Sequence, residues 1–462
     1  MSLLNSSRVG ALLVVIAGAC LVRLESPFDP VVWEHPTDLP VLEGALSPNE
    51  RLLETEHLHE GQVIAPEAFA EGDDGSLYTG TWDGRVYRMD PDGTNPTVVF
   101  FTGGVVSAAG RAVGSTTGVE YGTSLMNECH EKAKARSLTA EDEKRCGRPL
   151  GVKWRNGKLY ILDAYHGLFE LEFAKGGARA KHLINSLTDF PVPFGGEPGG
   201  GKSAAEETTR PALFFNDFDF TAEGIVFLSD SSWKYPRAHN RRDIVDGAPN
   251  GRLLRFDPSS GDLHTVMCGL HFPNGVELHP SGKKLLVVES MRFRVLEVDL
   301  AHVLQGQASS KNSRREENTP AASLTDALGS CGEEEALPDG VRVFAEALPG
   351  FVDNLVFDET RGGYVAGAGT KVAAPFSALH LALQKPAIFR TIIGKLVPMG
   401  VIENLVPSYG LVFVLGLDGT VKESMHDATG RTAFVSAAYR SSKSGYTFLG
   451  SSQNNYLGRV RL

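Results

Sequence analysis

Apolar residues along most of this chain come in short runs that alternate with polar positions and stop at glycine-bearing turns, the period of strands and not of helices. Six such units can be laid side by side. They are "APEAFAEGDDGSLYTGTWDGRVYRMDP" from Ala65, "GRPLGVKWRNGKLYILDAYHGLFELEF" from Gly147, and "FFNDFDFTAEGIVFLSDSS" from Phe214 continued by "GRLLRFDP" from Gly251. Then follow "FPNGVELHPSGKKLLVVESMRFRVLEVDL" from Phe272, "FVDNLVFDETRGGYVAGAGTK" from Phe351, and a looser unit, "YGLVFVLGLDGTVKESMHD" from Tyr409 with "YTFLGSSQNNYLGRVRL" from Tyr446. Each unit sets a short strand, a Gly turn, an aliphatic or aromatic strand, a small-residue turn and an alternating strand in series. That grammar predicts an all-β fold, a six-bladed β-propeller over residues 57–462. Pairing of "HLHEGQV", His57 to Val63, with the last blade would leave no sheet edge open.

Four insertions interrupt the blades. Residues 107–145, 189–210 and 308–340 are polar, charged or Gly-rich and need carry no function. Residues 375–406 have helix-like apolar spacing with Lys385, Arg390 and Lys395, which suits a helical lid on the blades or a helix lying on a membrane.

The N-terminus departs from the strand pattern. Val9 to Val22, "VGALLVVIAGACLV", is uncharged and apolar between Arg8 and Arg23, and it is shorter than the roughly 20 residues that span a bilayer. Extended to Leu24, with Arg23 reaching the interface, it makes a signal anchor over 9–24; "AGA" at Ala17 to Ala19 leaves a cleaved signal peptide as the alternative. Residues 1–8 would be a cytoplasmic tail and 25–56 a linker. Glu25, Asp29, Glu34 and Asp38 follow the run, with no Lys or Arg between Arg23 and Arg51, so the positive-inside rule puts the propeller in the lumen or outside, a type II arrangement. Asn5-Ser6-Ser7 is then on the wrong side for glycosylation.

Composition narrows the function. A formal net charge of -11, without basic stretches interleaved with aromatics, excludes nucleic acid as a partner. The 51 glycines and 25 prolines supply the tight turns of a many-stranded protein. Of the five cysteines, Cys129 and Cys146 bracket a charged insertion, and a disulfide between them would add about 3 kcal/mol on the chain-entropy model. Cys20, Cys268 and Cys331 have no metal-ligand spacing.

"FVDNLVF" carries a carboxylate and an amide inside an apolar strand. A buried charge costs several kcal/mol unless paired or bound to a metal. Because the innermost strand of each blade lines the axis, Glu67, Asn216, Asn274, and Asp353 with Asn354 converge on one point. This all-oxygen set with two carboxylates suits Ca²⁺.

"LESPFDP", "CGRPLG", "DAYHGLFE", "NDFDF", "SDSSWK", "GRLLRFDP", "FPNGVELHP", "VVES", "PGFVDN", "HDATG" and "YLGRVRL" together resemble the family of adipocyte plasma membrane-associated proteins and their strictosidine synthase-like relatives, from about Leu24 to Leu462. The resemblance implies a single-pass type II membrane protein, a six-bladed propeller and arylesterase-like hydrolysis. The site is more distantly similar to that of calcium-dependent paraoxonases and lactonases, whose Glu, Asn, Asn, Asp and Asn ligands fall on Glu67, Asn216, Asn274, Asp353 and Asn354.

Two departures qualify it. Strictosidine synthases use a glutamate in the last blade, and Val435 to Ser451, "VSAAYRSSKSGYTFLGS", has none, so lyase chemistry is disfavoured. A paraoxonase histidine pair is also missing, because "RPLG" has no His and only His166 lies near the second position.

Other motifs carry less. "GEPGGGKS", Gly196 to Ser203, matches the phosphate-loop pattern but follows a Pro-rich stretch and precedes little helix, so nucleotide is not expected. No GxSxG elbow occurs, and His426-Asp427 reads as a turn pair. The resulting expectation is a membrane-anchored, calcium-dependent ester or lactone hydrolase. Asp353 would be its base or nucleophile, and Asp163, Tyr165, Ser231 and Glu289 would line its pocket. A non-catalytic binding module with a structural ion is the alternative.

Overall fold

The computed structural model describes residues 26–33, 39–104, 123–174, 177–184, 192–194, 208–210, 212–304, 337–374, 377, 384–398, 400–401 and 406–462. Six four-stranded antiparallel sheets follow one another in chain order. Their innermost strands are Phe69–Glu71, Pro149–Arg155, Phe215–Phe220, Pro273–Leu278, Gly350–Asp358 and Val435–Arg440. The expected six-bladed propeller is therefore present. The last blade takes its outermost strand, Glu56–Leu58, from the N-terminal side, where it pairs with Leu457–Val460 in the register Glu56↔Arg459 to Leu58↔Leu457. That register begins one residue before the expected segment and closes the ring without a free edge there.

Turn chemistry fixes the registers. Asn156 and Gly157 both have positive φ, 51° and 74°, between the paired Arg155 and Lys158, the backbone of a type I′ hairpin that Asn-Gly forms with little strain. The core is divided radially, because each twisted sheet buries both faces against its neighbours. Phe218 and Leu228 pack with Leu162 and Leu168 of the preceding blade, and Phe227 and Leu253 with Val276 and Leu285 of the following one. Burying each such side chain contributes about 1.5–3 kcal/mol.

Three of the four insertions contain regular elements among the described residues. Residues 107–145 include the helix Thr123–Lys134 and most of the helix Ala140–Cys146, tied by a Cys129–Cys146 disulfide. Cys268 is also disulfide-bonded. A short hairpin pairs Val192–Phe194 with Thr208–Arg210. Residues 375–406 include the helix Ala387–Leu396, which packs beside Phe28 and the helix Asn240–Asp246: a Cβ on Gly394 would come within 2.4 Å of the Phe28 ring, and Arg390 Nη1 donates to Val245 O at 2.7 Å. The anchor at 9–24, the phosphate-loop match at 196–203 and most of residues 308–340 lie outside the described residues. Among the described residues, no helix is long and apolar enough to cross a membrane.

Candidate functional site

The innermost strands share an irregularity that builds the site. Pairing slips between Phe215 and Phe218, Pro273 and Val276, Val352 and Leu355, and Val435 and Ala438. A bulge re-aims the side chain it releases, and these bulges hold Asn216, Asn274, Asp353 with Asn354, and Ser436. Glu67 lies just before the innermost strand of the first blade, where Glu67 O accepts Ser436 Oγ–H at 2.8 Å. In the second blade the slip between Pro149 and Gly151 puts Leu150 at this level. The approach is tight: a Cβ on Gly275 would lie 2.9 Å from Asn354 Cα of the next blade.

Glu67, Asn216, Asn274 and Asp353 all line one cavity of about 200 Å3. Its walls carry three aromatics, each two residues before a floor residue: Phe214 before Asn216, Phe272 before Asn274, and Phe351 before Asp353. Phe351 lies in the same strand as Asp353, whereas Phe214 and Phe272 sit just ahead of the strands Phe215–Phe220 and Pro273–Leu278 that carry their floor residues. The rings meet edge-on, with centroids 5.6 Å apart for Phe214–Phe272 and again for Phe272–Phe351. Phe272 is held at φ 59°, a backbone region that favours glycine and stores strain.

The floor amides are oriented from behind. Ser231 Oγ commits its proton to Pro273 O at 2.6 Å and accepts Asn216 Nδ2–H at 2.9 Å. Asn216 Oδ1 is thereby turned into the cavity, where it is buried without a partner. Asn274 gives a side-chain hydrogen bond to Asp353, while Asn274 Oδ1 and Asp353 Oδ1 are likewise buried and unpartnered. Burial first, then repulsion from Glu67, pushes the Asp353 carboxyl well above the usual carboxylate range, although the Asn274 bond and Arg237 pull it down.

Two amides, Asn216 and Asn274, and two carboxylates, Glu67 and Asp353, with three of their oxygens orphaned, make a donor set that fits a hard cation such as calcium, whose presence would satisfy them. Among the described residues, no three His, Cys, Asp or Glu side chains gather around one point, so any ion here would depend on the amides. Arg148 is fully buried, pairs with Glu67 and donates to Ala65 O at 2.8 Å, offsetting one of the two negative charges. Arg237 lines the same cavity and bonds Glu143 Oε2 at 3.1 Å.

The remaining expected residues are placed elsewhere. Asn354 lines a second cavity of about 270 Å3, one residue further along the inner strands, with Lys153, Asp217, Glu277 and Tyr439. There the acids join blades: Asp217 Oδ2 accepts Val276 N–H at 2.9 Å and Glu277 Oε1 accepts Phe357 N–H at 3.0 Å, while Lys153 Nζ reaches Glu277 Oε2 at 2.6 Å. Asn354 Oδ1 has no partner, yet alternation along the strand turns it from the other four oxygens.

Asp163, Tyr165, Ser231 and Glu289, expected to line the pocket, are not among the residues lining the first cavity. Asp163 Oδ1 caps its turn through Tyr165 N–H and His166 N–H at 2.9 and 3.0 Å. Tyr165 bonds Glu143 Oε1 at 2.8 Å, Ser231 works behind Asn216, and Glu289 accepts His271 N–H at 2.8 Å. His166 lies off the cavity, and His426 is buried beside Tyr409 OH at 3.0 Å. Arg148, Arg237 and the Phe triplet were missed. The triplet had a signal in the repeated "FFN", "FPN" and "FVD".

The fold and site define a closed six-bladed β-propeller with polar residues at four equivalent inner-strand bulges. The family model described as strictosidine synthase matches residues 216–298, and that described as strictosidine synthase-like, N-terminal, matches residues 44–89. Adipocyte plasma membrane-associated protein from Bos taurus is 30% identical over 459 residues, covering 98% of this chain and 89% of the relative. The chain therefore belongs to the adipocyte plasma membrane-associated protein family. It is also 29% identical to Protein STRICTOSIDINE SYNTHASE-LIKE 13 of Arabidopsis thaliana over 310 residues, 66% of this chain and 58% of that one. Among solved structures, the calcium-binding protein regucalcin from Agrobacterium tumefaciens aligns over 87% of this chain and 92% of its own, with TM-score 0.45 and 11% identity.

Proposed function

We propose that this propeller is a membrane-anchored, calcium-dependent hydrolase of esters or lactones. The observation that carries the reading is the convergence of three buried, unpartnered oxygens, on Asn216, Asn274 and Asp353, at the floor of an aromatic-walled cavity. Glu67, Asn216, Asn274 and Asp353 would hold the ion, with Asn354 able to join only by turning from its present cavity. Calcium, when bound, supplies Lewis-acid polarisation of a carbonyl and charge for the developing oxyanion.

The chain's own residues do the rest. Phe214, Phe272 and Phe351 bind an apolar acyl or aryl group and exclude water from the floor. Ser231 keeps Asn216 oriented. Asp353, ionised once its charge is matched, takes a proton from the water that attacks the carbonyl, the alcohol leaving with a proton as the acid forms; alternatively it attacks the carbonyl itself, expelling the alcohol and leaving an acyl anhydride that water hydrolyses. Lyase chemistry of the strictosidine synthase kind lacks its acid, since the last blade presents Ser436 where the other blades present their floor residues. The N-terminal apolar run would anchor the protein, and the relative's printed name, plasma membrane-associated, agrees with that placement.

A second reading is a binding module with a structural ion, favoured by the Arg148–Glu67 pair, which already compensates one carboxylate. Hydrolysis of phenyl acetate, with and without chelator and beside Asp353→Asn, separates the two. Turnover lost in both cases supports the hydrolase. Chelator-insensitive or absent turnover, with calcium still raising the Tm, leaves the binding module.

A further inference from the structure

The helix Ala387–Leu396 is amphipathic in the reverse sense. At 100° per residue, Ile388, Phe389, Ile393 and Leu396 fall within an arc of about 140°, and they are 66%, 56%, 43% and 58% exposed. The opposite side carries the buried residues Arg390 and Gly394, which face Phe28, Val31 and the helix Asn240–Asp246. The apolar face looks away from the protein. Val32, 80% exposed, and Val31, 39% exposed, belong to the segment that Arg390 holds, and Val401, 51% exposed, follows the helix. These seven account for most of the large exposed apolar side chains among the described residues. Isolated exposed apolar residues need no explanation, but a gathered patch marks an interaction surface.

The position of the patch identifies its occupant. The described chain begins at Ser26, and Phe28 packs on this helix. The apolar run Val9 to Val22 ends four residues earlier, a reach of at most about 14 Å even fully extended. A membrane holding that run would therefore lie within a short tether of Ile388 and Phe389. Net charge is -11, which opposes general electrostatic attraction to an anionic surface and leaves apolar burial as the main drive.

From these facts we infer that Ile388, Phe389, Ile393, Leu396, Val401 and Val32 form a docking face for a lipid bilayer, entered by apolar burial and insensitive to salt. The face adjoins the first cavity, whose lining includes Ile244 and Val245 of the helix beneath Arg390, and Val406 and Pro407 just beyond Val401. Docking would set the cavity mouth at the membrane surface, within reach of lipid-soluble molecules. The proposal rests on the anchored reading of the N-terminus and is independent of whether the site hydrolyses anything.

The test uses the full chain with phosphatidylcholine vesicles containing acyl-chain-brominated lipid. Flotation reports anchoring, and fluorescence quenching of Phe389→Trp, after subtraction of the parent signal, reports docking. Val98→Trp, on an outer strand of the first blade and 38% exposed, is the control. The expected result is flotation at low and high salt, with Phe389→Trp quenched several-fold more than Val98→Trp. Adding Ile388→Asp and Ile393→Asp, both exposed and so compatible with folding, should abolish the difference. Flotation with equal quenching at both positions overturns the docking face and leaves the anchor standing; absence of flotation overturns both. A Phe389→Trp signal shielded from lipid, with dimers that Ile388→Asp and Ile393→Asp dissolve, would make a second copy the occupant and also overturn it.

Discussion

Replacing Ser231 with alanine should weaken calcium binding although Ser231 touches no ion. The hydroxyl donates to Pro273 O at 2.6 Å and accepts Asn216 Nδ2–H at 2.9 Å. Its loss leaves a buried amide N–H and a buried carbonyl unpaired, at about 1–3 kcal/mol. Asn216 recovers part of that by rotating, which carries Nδ2 toward the cavity and Oδ1 away from it. Supporting residues of this kind typically govern 10–100-fold in metal affinity, equivalent to about 1.4–2.7 kcal/mol. Thermal melting across a calcium titration reads both effects. Ser231→Ala should lower the calcium-free Tm and shift the midpoint of calcium stabilisation upward by one to two decades, whereas Ser231→Thr, which keeps the hydroxyl, should fall between. A variant with lowered calcium-free Tm and an unchanged calcium midpoint would refute the reasoning, because Asn216 would then not need its orientation.

Further outcomes follow from other contacts. Lys153→Met leaves Asp219 and Glu277 without the part-buried ammonium that reaches them at 3.6 and 2.6 Å and should cost about 1–3 kcal/mol, partly recovered by Glu277→Gln, read by urea unfolding. His271, buried and held near pKa about 4 mainly by desolvation, stays neutral in the fold while the unfolded chain protonates near 6.5. Stability it contributes is therefore present above 6.5 and lost as pH falls towards 4, by about 3 kcal/mol at most, and His271→Gln should flatten that limb of a pH–Tm curve. Phe227→Ala, between two blades, should cost about 3–5 kcal/mol by denaturant unfolding, with no change in the calcium midpoint.

The repeat grammar made the blades legible, because turn pairs such as Asn156-Gly157 set strand boundaries locally. Glu67, Asn216, Asn274 and Asp353 stand out in the sequence as polar residues in or beside apolar inner strands, and all four line the first cavity. Asn354 lines the second cavity and not the first, because a bulge and strand alternation decide which of two adjacent side chains faces which cavity, and sequence spacing carries neither. Ser231 orients Asn216 from behind the cavity, a placement that its inner-strand-end position in the sequence does not distinguish from lining. Arg148 and Arg237 escaped notice because their burial is created by chain segments far apart in sequence.

The most direct test of the account is calorimetric titration of chelator-treated protein with calcium chloride, for the wild type and Asp353→Asn. One equivalent bound by the wild type, and binding lost or weakened by orders of magnitude in Asp353→Asn, is the predicted result. No binding by a folded wild-type protein, or equal binding by both, would contradict a calcium site at the floor of the cavity.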